Sequence, residues 1–186
     1  MKRVLRYLKG TRNMGIMFQW HPSTVHAQHN PMMSWGFCNA NYAEDSGDWK
    51  SINSYVFMLT GGPISWKSKK QVFISLSTTE AEYYTLGIAC QEAVWIKQIC
   101  QELLMSLNNT IHIYSDNTGM VALSDNPLSH NRSKHIDICW HFIRDLIGAK
   151  IIFTSHIPGI HNGVKFLTKF LSHSEHKHCI KLLGME

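Results

Sequence analysis

Three carboxylates stand at the predicted ends of helices and strands, where side chains can reach a ligand. Glu80 and Glu82 lie at the start of an amphipathic helix, and Asp116 ends a β-rich run. Such groups can bind a metal ion, but a Glu in a first helical turn also complements the helix dipole. An Asp after a strand often caps the helix that follows. Residue type and position leave both interpretations open for all three.

The first half of the chain predicts the antiparallel start of a sheet. Residues 34–39 and 54–59 have the composition of strands, and apolar residues alternate along the second. The glycines at 61–62 supply the positive φ of a tight reversal. Residues 63–66 then return as a hairpin partner, and 72–76 form a further apolar run. We therefore expect two or three antiparallel strands before the first long helix.

The second half predicts helices alternating with strands. The expected elements are a helix over 79–105, a strand over 110–115, helices over 118–124 and 136–147, a strand over 150–156 and a last helix over 164–171. Hairpin strands followed by helical crossovers imply an α/β fold with a mixed central sheet flanked by helices. Polar groups at strand ends and helix starts converge on one edge of such a sheet. Chemistry should be sought at that edge.

Composition narrows the class of protein and its partners. The 186 residues suffice for one sizeable core, and no apolar run is long enough to span a membrane. Five cysteines without a CxxC pair favour free thiols in a reducing compartment. We expect a soluble intracellular protein of the cytoplasm or nucleus. A net charge of +5 suits nucleic acid, although ordinary basic solubility explains it equally well.

Four ordered sequence runs carry a resemblance to a known family. They read SYVFMLTGGPISWKSKKQ, STTEAEYYTL, IYSDNTGMVAL and SKHIDICWHFIRDLI, and the opening of the chain reads RVLRYLKGT. The runs resemble the ribonuclease H segment of Ty1/copia retrotransposon Pol polyproteins, and the opening is similar to the segment that joins reverse transcriptase to it. The resemblance implies a reverse transcriptase remnant and linker over 1–32, a ribonuclease H-like domain over 33–172 and a polar, His-rich tail over 173–186.

The resemblance also implies an activity. A ribonuclease H hydrolyses the RNA strand of an RNA/DNA hybrid with two Mg²⁺ ions, or Mn²⁺, held by clustered carboxylates. The implied partners are such a hybrid and the reverse transcriptase portion of the parent polyprotein. The family has four carboxylate positions, and each can be compared with this chain.

Two of the four positions keep an acid. The second family carboxylate opens the long helix, where Glu82 is preferred to Glu80 because Thr85 and Leu86 supply the small and apolar residues expected three and four positions later. The third is Asp116, whose following Asn117 completes the family's Asp-Asn pair. Glu80 stays as an assisting candidate.

The other two positions have lost their acid. Where the family reads Asp-Ala-Asp-Trp on the first strand, this chain has Asn39, an alanine, Asn41 and a tyrosine. Where the family reads Ala-Asp-x-Leu-Thr-Lys near the last helix, Lys165 replaces the acid, with the register fixed by Leu167 and Thr168.

This loss of charge predicts weak or absent two-metal hydrolysis. Four carboxylates carry about −4, whereas the four residues here sum to about −1 with both remaining acids ionised, and a nearby ammonium repels divalent cations. Asp45 and Asp48 follow the first strand, but loop acids seldom reproduce fixed geometry. The alternative function is a non-catalytic nucleic-acid-binding module or an inert remnant of the same fold.

Three further groups of residues are weaker candidates. His161 lies where related enzymes place a histidine that assists product release. Basic residues could contact the phosphates of a hybrid or could simply be solvated: Lys67, Lys69, Lys70, Lys134 and Arg144. A third function class is zinc binding through the C-terminal cluster of His173, His176, His178 and Cys179.

Overall fold

A computed structural model describes residues 2–18, 34–44, 47–103, 110–119 and 134–185, with the side chains of 134–137 left out. Its elements, in chain order, are α1 (Lys2–Gly10), β1 (Trp35–Asn41), β2 (Ile52–Leu59), β3 (Gly62–Lys70), α2 (Thr78–Glu102), β4 (Ile111–Ser115), α3 (Lys134–Gly148), β5 (Ile152–His156) and α4 (His173–Leu182). Two 3-10 turns, Gly159–His161 and Lys165–Leu167, lie between β5 and α4.

The five strands form one mixed sheet in the order β3-β2-β1-β4-β5. The pairs β1–β2 and β2–β3 are antiparallel, whereas β1–β4 and β4–β5 are parallel. This arrangement confirms the predicted mixed sheet. The β2–β3 turn is shifted by one residue from the prediction: the positive φ angles belong to Thr60 (48°) and Gly61 (82°), as in a type I′ turn. Gly62 instead begins β3.

The long helix α2 covers one face of the sheet. Its first turn is capped by Ser77, whose hydroxyl accepts a hydrogen bond from the backbone N–H of Glu80 at 3.1 Å. The buried residues of α2 join those of β1, β2, β4, β5 and α3 in the larger of two core clusters. Burying this apolar stripe is what fixes the helix, and with it the side chains of its first turns, against the sheet.

The opposite face of the sheet is covered by the C-terminal segment. Phe37, Val56 and Met58 of the sheet pack there against Val164 and Leu183. Within the predicted polar tail over 173–186, residues 173–182 form the helix α4. Its N-terminus has a capping box in which the Ser172 hydroxyl and the Glu175 carboxylate each accept a backbone N–H.

Two other predicted elements differ in the structure. The expected helix over 164–171 is a single 3-10 turn, Lys165–Leu167, because the Thr168 hydroxyl and backbone N–H both donate to the Lys165 carbonyl and end the turn. The apolar run over 72–76 is an exposed loop, not a strand. The helix expected over 118–124 falls mostly outside the described residues. Within the described ranges, none of the helices combines the length and apolarity needed to cross a bilayer.

Candidate functional site

The four positions named by the family pattern lie at one edge of the sheet. Since β1 and β4 are parallel neighbours, their C-terminal ends are adjacent, which brings Asn39 near Asp116. The start of α2 adds Glu82, to which the backbone N–H of Ala40 donates a hydrogen bond. The turn after β5 adds Lys165. The sheet edge therefore gathers an amide, two carboxyl groups and an ammonium.

Glu80 and Glu82 have different surroundings. The Glu80 carboxylate turns back over the helix start and accepts the backbone N–H of Leu76 at 2.9 Å. The Glu82 side chain enters the sheet edge, and the residue is only 6% exposed. Glu80 therefore acts as a helix cap, and Glu82 is the α2 acid that faces the other three positions.

Burial decides the protonation of Glu82. It raises the pKa of this carboxyl to about 8, and the nearby Asp116 carboxylate acts in the same direction. The N–H of Ala40 and the ammonium of Lys165 act in the opposite direction but do not compensate for burial. Among the described residues, Oε2 of Glu82 has no hydrogen-bond partner. At neutral pH the Glu82 side chain is therefore mainly a neutral acid.

Asp116 and Lys165 form an ion pair in the middle of the site. The distance from Lys165 Nζ to Asp116 Oδ2 is 2.8 Å, and the side chains are 23% and 19% exposed, in the order Lys165 and Asp116. The other oxygen of Asp116 accepts a hydrogen bond from the Asn162 amide at 3.1 Å, and that amide also donates to the Cys38 carbonyl. A Cβ at Gly159 would collide with the Lys165 ammonium. Both carboxylate oxygens of Asp116 are thus occupied by donors of the chain itself.

Asn39 is connected to the same turn that carries Lys165. Its amide nitrogen donates to the Thr168 hydroxyl at 2.9 Å, and the amide of Asn41 donates to the Thr168 carbonyl at 3.2 Å. The Thr168 hydroxyl in turn donates to the Lys165 carbonyl. These two amides therefore hold β1 against the turn.

The residues present do not fit a two-metal centre. Mg²⁺ requires oxygen ligands with available lone pairs and usually negative charge. Here the charges of Asp116 and Lys165 cancel, Glu82 is mainly neutral at pH 7, and Asn39 has no charge. The described ranges contain no group of three or more His, Cys, Asp or Glu side chains arranged to hold a metal ion.

Of the two loop acids, only Asp48 lies among the described residues. Asp48 forms ion pairs with Lys50 at 3.6 Å and Lys70 at 3.4 Å. Its carboxylate is therefore paired with these two lysines and not with the residues of the candidate site. Asp45 lies outside the described residues.

The structure does not bring together the described side chains that the C-terminal zinc alternative names. His176 packs edge-on against the rings of Tyr7 and Phe166, and a ring nitrogen of His178 lies 3.0 Å from the Ile160 carbonyl. Cys179 is one of the two buried residues of α4. These contacts point the ligand-type side chains to different neighbours, and they form no metal-holding group in the described part of the chain.

The other sequence candidates lie around the site. His161 belongs to the 3-10 turn next to the ion pair, and its buried Nδ1 lacks a hydrogen-bond partner among the described residues. Lys67 and Lys69 are exposed on the edge strand β3. The Arg144 guanidinium lies 4.5 Å from the centre of the Trp140 ring, in cation–π geometry. The side chain of Lys134 is outside the described part of the chain.

Sequence reasoning missed Asn162 and Gly159, and it used Thr168 only to fix a register. Asn162 joins Asp116 to the β1 backbone, Thr168 joins β1 to the Lys165 turn, and Gly159 leaves room for the ammonium. Thr168 and Asn162 occur in short polar turns, where such residues are common on any surface. Only the three-dimensional structure shows that these two polar residues, unlike others in turns, bond to the site.

Comparison with known proteins identifies the family. No family model matches the chain. It is 34% identical over 184 residues to the retrovirus-related Pol polyprotein from transposon TNT 1-94 of Nicotiana tabacum, covering 99% of this chain and 13% of the relative. It is 35% identical over 185 residues to that from transposon RE1 of Arabidopsis thaliana, covering 100% of this chain and 12% of the relative. The chain belongs to the copia-type retrotransposon Pol family. It spans 12–13% of the length of these relatives.

Solved structures confirm which fold this Pol segment has. A structure of LC11-RNase H1 in complex with an RNA/DNA hybrid superposes with a TM-score of 0.53 at 10% identity, covering 73% of the Pol segment and 93% of that chain. The RNase H1 from Halobacterium salinarum gives a TM-score of 0.50 at 12% identity, with coverages of 73% and 94%. The predicted ribonuclease H-like fold is confirmed. At these identities the likeness concerns the fold alone.

Proposed function

We propose that this Pol segment is a ribonuclease H domain that binds RNA/DNA hybrids but has lost most or all two-metal hydrolysis. The observation that carries the proposal is the 2.8 Å ion pair between Asp116 and Lys165. A cation supplied by the chain occupies the carboxylate that the family uses for a metal ion.

A lysine cannot take over the work of the metal ions. In two-metal hydrolysis one ion activates a water molecule and the other stabilises the leaving oxygen. An ammonium neutralises charge, but it has no open coordination position at which to bind and acidify water. The Asp116 carboxylate is already neutralised by the Lys165 ammonium, so the site attracts a divalent ion less than four carboxylates would. Hydrolysis depends on metal ions whereas binding of the hybrid does not, so the two properties need separate assays.

Hybrid binding is supported by the surface around the site. The fold is that of a protein solved with a hybrid, and lysines of β3 are exposed at the edge of the sheet. Phosphate contacts from lysines give affinity that depends strongly on salt and little on sequence. The reverse transcriptase portion of the parent polyprotein is the proposed protein partner, because ribonuclease H acts on the hybrid that a reverse transcriptase makes.

A cleavage assay tests the loss of hydrolysis. A labelled RNA/DNA hybrid is incubated with the wild type, Glu82→Gln and Asp116→Asn in Mg²⁺ or Mn²⁺. We expect wild-type cleavage to be absent or far slower than that of an active ribonuclease H1 assayed in parallel. Metal-dependent cleavage by the wild type at a rate close to that enzyme's, abolished by either substitution, would overturn the proposal.

Restoration of the acids tests the site assignment itself. Asn39→Asp combined with Lys165→Asp rebuilds the family's four carboxylates, and we expect metal-dependent cleavage to rise. The matched control combines Asn39→Asp with Lys169→Asp, which makes the same change in charge at an exposed lysine four residues away. A folded double variant with no more activity than this control would count against the assignment.

A binding assay separates the two non-catalytic alternatives. Fluorescence anisotropy with a labelled hybrid in EDTA should show metal-independent, salt-sensitive binding. No binding at low salt would favour an inert remnant of the fold.

A further inference from the structure

A pocket of mixed polarity lies between the edge strand β3 and helix α2, on the helix-covered face of the sheet. Its volume is about 190 Å³, which is smaller than most pockets for drug-sized ligands. Its lining includes three lysines of β3 and three amides: Lys67, Lys69, Lys70, Asn53, Gln71 and Gln91. We call it the β3–α2 pocket. None of the four residues that replace or keep the family's carboxylates lines it.

The floor of the β3–α2 pocket is a buried amide with a fixed orientation. Asn53 and Gln71 are only 5% and 2% exposed. The Asn53 side-chain oxygen accepts hydrogen bonds from the Thr85 hydroxyl at 2.7 Å and from the Gln71 amide. Because donors occupy that oxygen, the NH₂ group of Asn53 must point elsewhere.

The pocket is the space left for the NH₂ group of Asn53. Asn53 lines the pocket, and this group is neither a donor in the hydrogen bonds given above for the described residues nor one of their fully buried, unpaired polar atoms. Gln71 is held from the other side, since its oxygen accepts from the Ser75 hydroxyl and its nitrogen also donates to the Ala81 carbonyl. The pocket floor thus presents a rigid donor.

Two ammonium groups belong to the wall of this pocket. Ser65, Lys67 and Lys69 occupy every second position of β3, so their side chains share one face of the strand. That face is turned to α2, because the Ser65 hydroxyl donates to the Glu92 carboxylate at 2.6 Å. The second oxygen of Glu92 accepts from the Tyr55 hydroxyl. The nearby acid is thus bonded to hydroxyl groups.

The pocket is next to the candidate site. Asn53 is paired with Ala40 in the β1–β2 register, and the N–H of Ala40 donates to Glu82. Thr85, which fixes the Asn53 amide, lies one helical turn after Glu82. A strand of nucleic acid that crosses the site therefore has the pocket within reach of its backbone.

We propose that the β3–α2 pocket binds a backbone phosphate of the nucleic acid that lies at the candidate site, an inference that rests on the proposed hybrid binding. A rigid amide donor flanked by two ammonium groups matches the negative, acceptor-only oxygens of a phosphodiester. The same donors would not bind a cation.

The test compares three variants with the wild type by anisotropy, using a short fluorescein-labelled RNA/DNA hybrid in EDTA over a range of salt. Lys67→Gln with Lys69→Gln removes both ammonium groups. Asn53→Asp keeps the acceptor for Thr85 and places a negative charge where the phosphate would bind. The matched control is Lys177→Gln with Lys181→Gln, which removes two exposed lysines of α4 on the other face of the sheet.

We expect both pocket variants to bind the hybrid at least fivefold more weakly than the control at low salt. The slope of log K against log salt should become shallower by about 0.9 for each phosphate that the protein no longer neutralises. In the folded wild type, the side-chain NH₂ resonance of Asn53 should shift when hybrid is added, a readout that needs no substitution.

The outcomes distinguish this inference from the proposed function. If the wild type fails to bind the hybrid, both are overturned. If the wild type binds, the pocket variants match the control and the Asn53 resonance does not move, only the phosphate pocket is overturned. If Asn53→Asp does not fold, the lysine pair and the resonance decide.

Discussion

Replacing Glu82 with glutamine removes a buried carboxyl group and keeps its shape. In the folded protein burial raises the pKa of this group to about 8, against an ordinary value of 4.5. The amide oxygen introduced by Glu82→Gln can still accept the N–H of Ala40, so the substitution changes protonation and little else. The variant therefore isolates what the Glu82 proton contributes to stability.

The sign of the effect follows from proton binding. Between about pH 4.5 and about pH 8 the folded chain keeps the Glu82 proton, whereas the unfolded chain has lost it. The folded state binds more protons, so the free energy of unfolding of the wild type falls as pH rises. Each unit in this window corresponds to about 1.4 kcal/mol, which gives about 3–4 kcal/mol between about pH 5 and 8. The loss is complete once pH exceeds the folded pKa.

Urea unfolding followed by tryptophan fluorescence measures the effect. Wild type and Glu82→Gln are compared at several pH values across this window, and the difference between their free energies of unfolding is plotted against pH. The other ionisable groups are common to both proteins and largely cancel in the difference. Glu80→Gln is the matched control, because that acid caps the helix at its exposed start.

Parallel stability curves for the wild type and Glu82→Gln would refute the reasoning, since they would mean that Glu82 has the same pKa in both states. A difference that grows with pH in favour of the wild type would refute it as well. The same difference plot for Glu80→Gln gives the baseline against which the Glu82→Gln slope is read.

Further predictions concern the charges at the site and Gly184, a glycine with a positive φ. Asp116→Asn should lower the pKa of Glu82, because it removes a like charge. Lys165→Met should raise this pKa, because it removes an opposite charge. Carbon-detected NMR titration of the Glu82 carboxyl tests both directions. Gly184→Ala should cost about 2–4 kcal/mol in urea unfolding, because φ is +63° and a Cβ would overlap a carbonyl of the β2–β3 turn. Gly148→Ala, where the added Cβ meets nothing, is its control and should cost less than about 0.5 kcal/mol.

Periodicity and turn chemistry account for most of the fold. The hairpin, α2 and the parallel strands have strong patterns, and the structure places them within a few residues of the prediction. Helix α4 was not predicted because it buries only Cys179 and Ile180, too few for an apolar stripe. The spacing of Ser172 and Glu175 was a readable signal, since it is that of a capping box. The exposed run over 72–76 has the composition of a strand but no partner strand among the described elements.

The site could be predicted in its residues but not in its bonds. The family pattern names Asn39, Asp116 and Lys165 by position alone. A sequence cannot show whether a long lysine side chain extends into solvent or toward a particular carboxylate, because that choice depends on the turn that carries it. Here Gly159 leaves the space and Asn162 holds the other carboxylate oxygen, so the ammonium points inward.

The ion pair between Asp116 and Lys165 also constrains the order in which this site could evolve back toward a metal centre. Lys165→Asp alone would place a second carboxylate against Asp116 and close to Glu82, with no counter-charge, and the fold would lose stability. Asn39→Asp alone adds an acid while the ammonium is still present, but it removes the amide that donates to the Thr168 hydroxyl, so it is the milder first step and still has a cost. Neither single change completes the four acids that the family uses. Lys165 therefore hinders reversion to a metal centre. A protein with only one of the two substitutions still lacks the four acids, so selection for hydrolysis would not favour it.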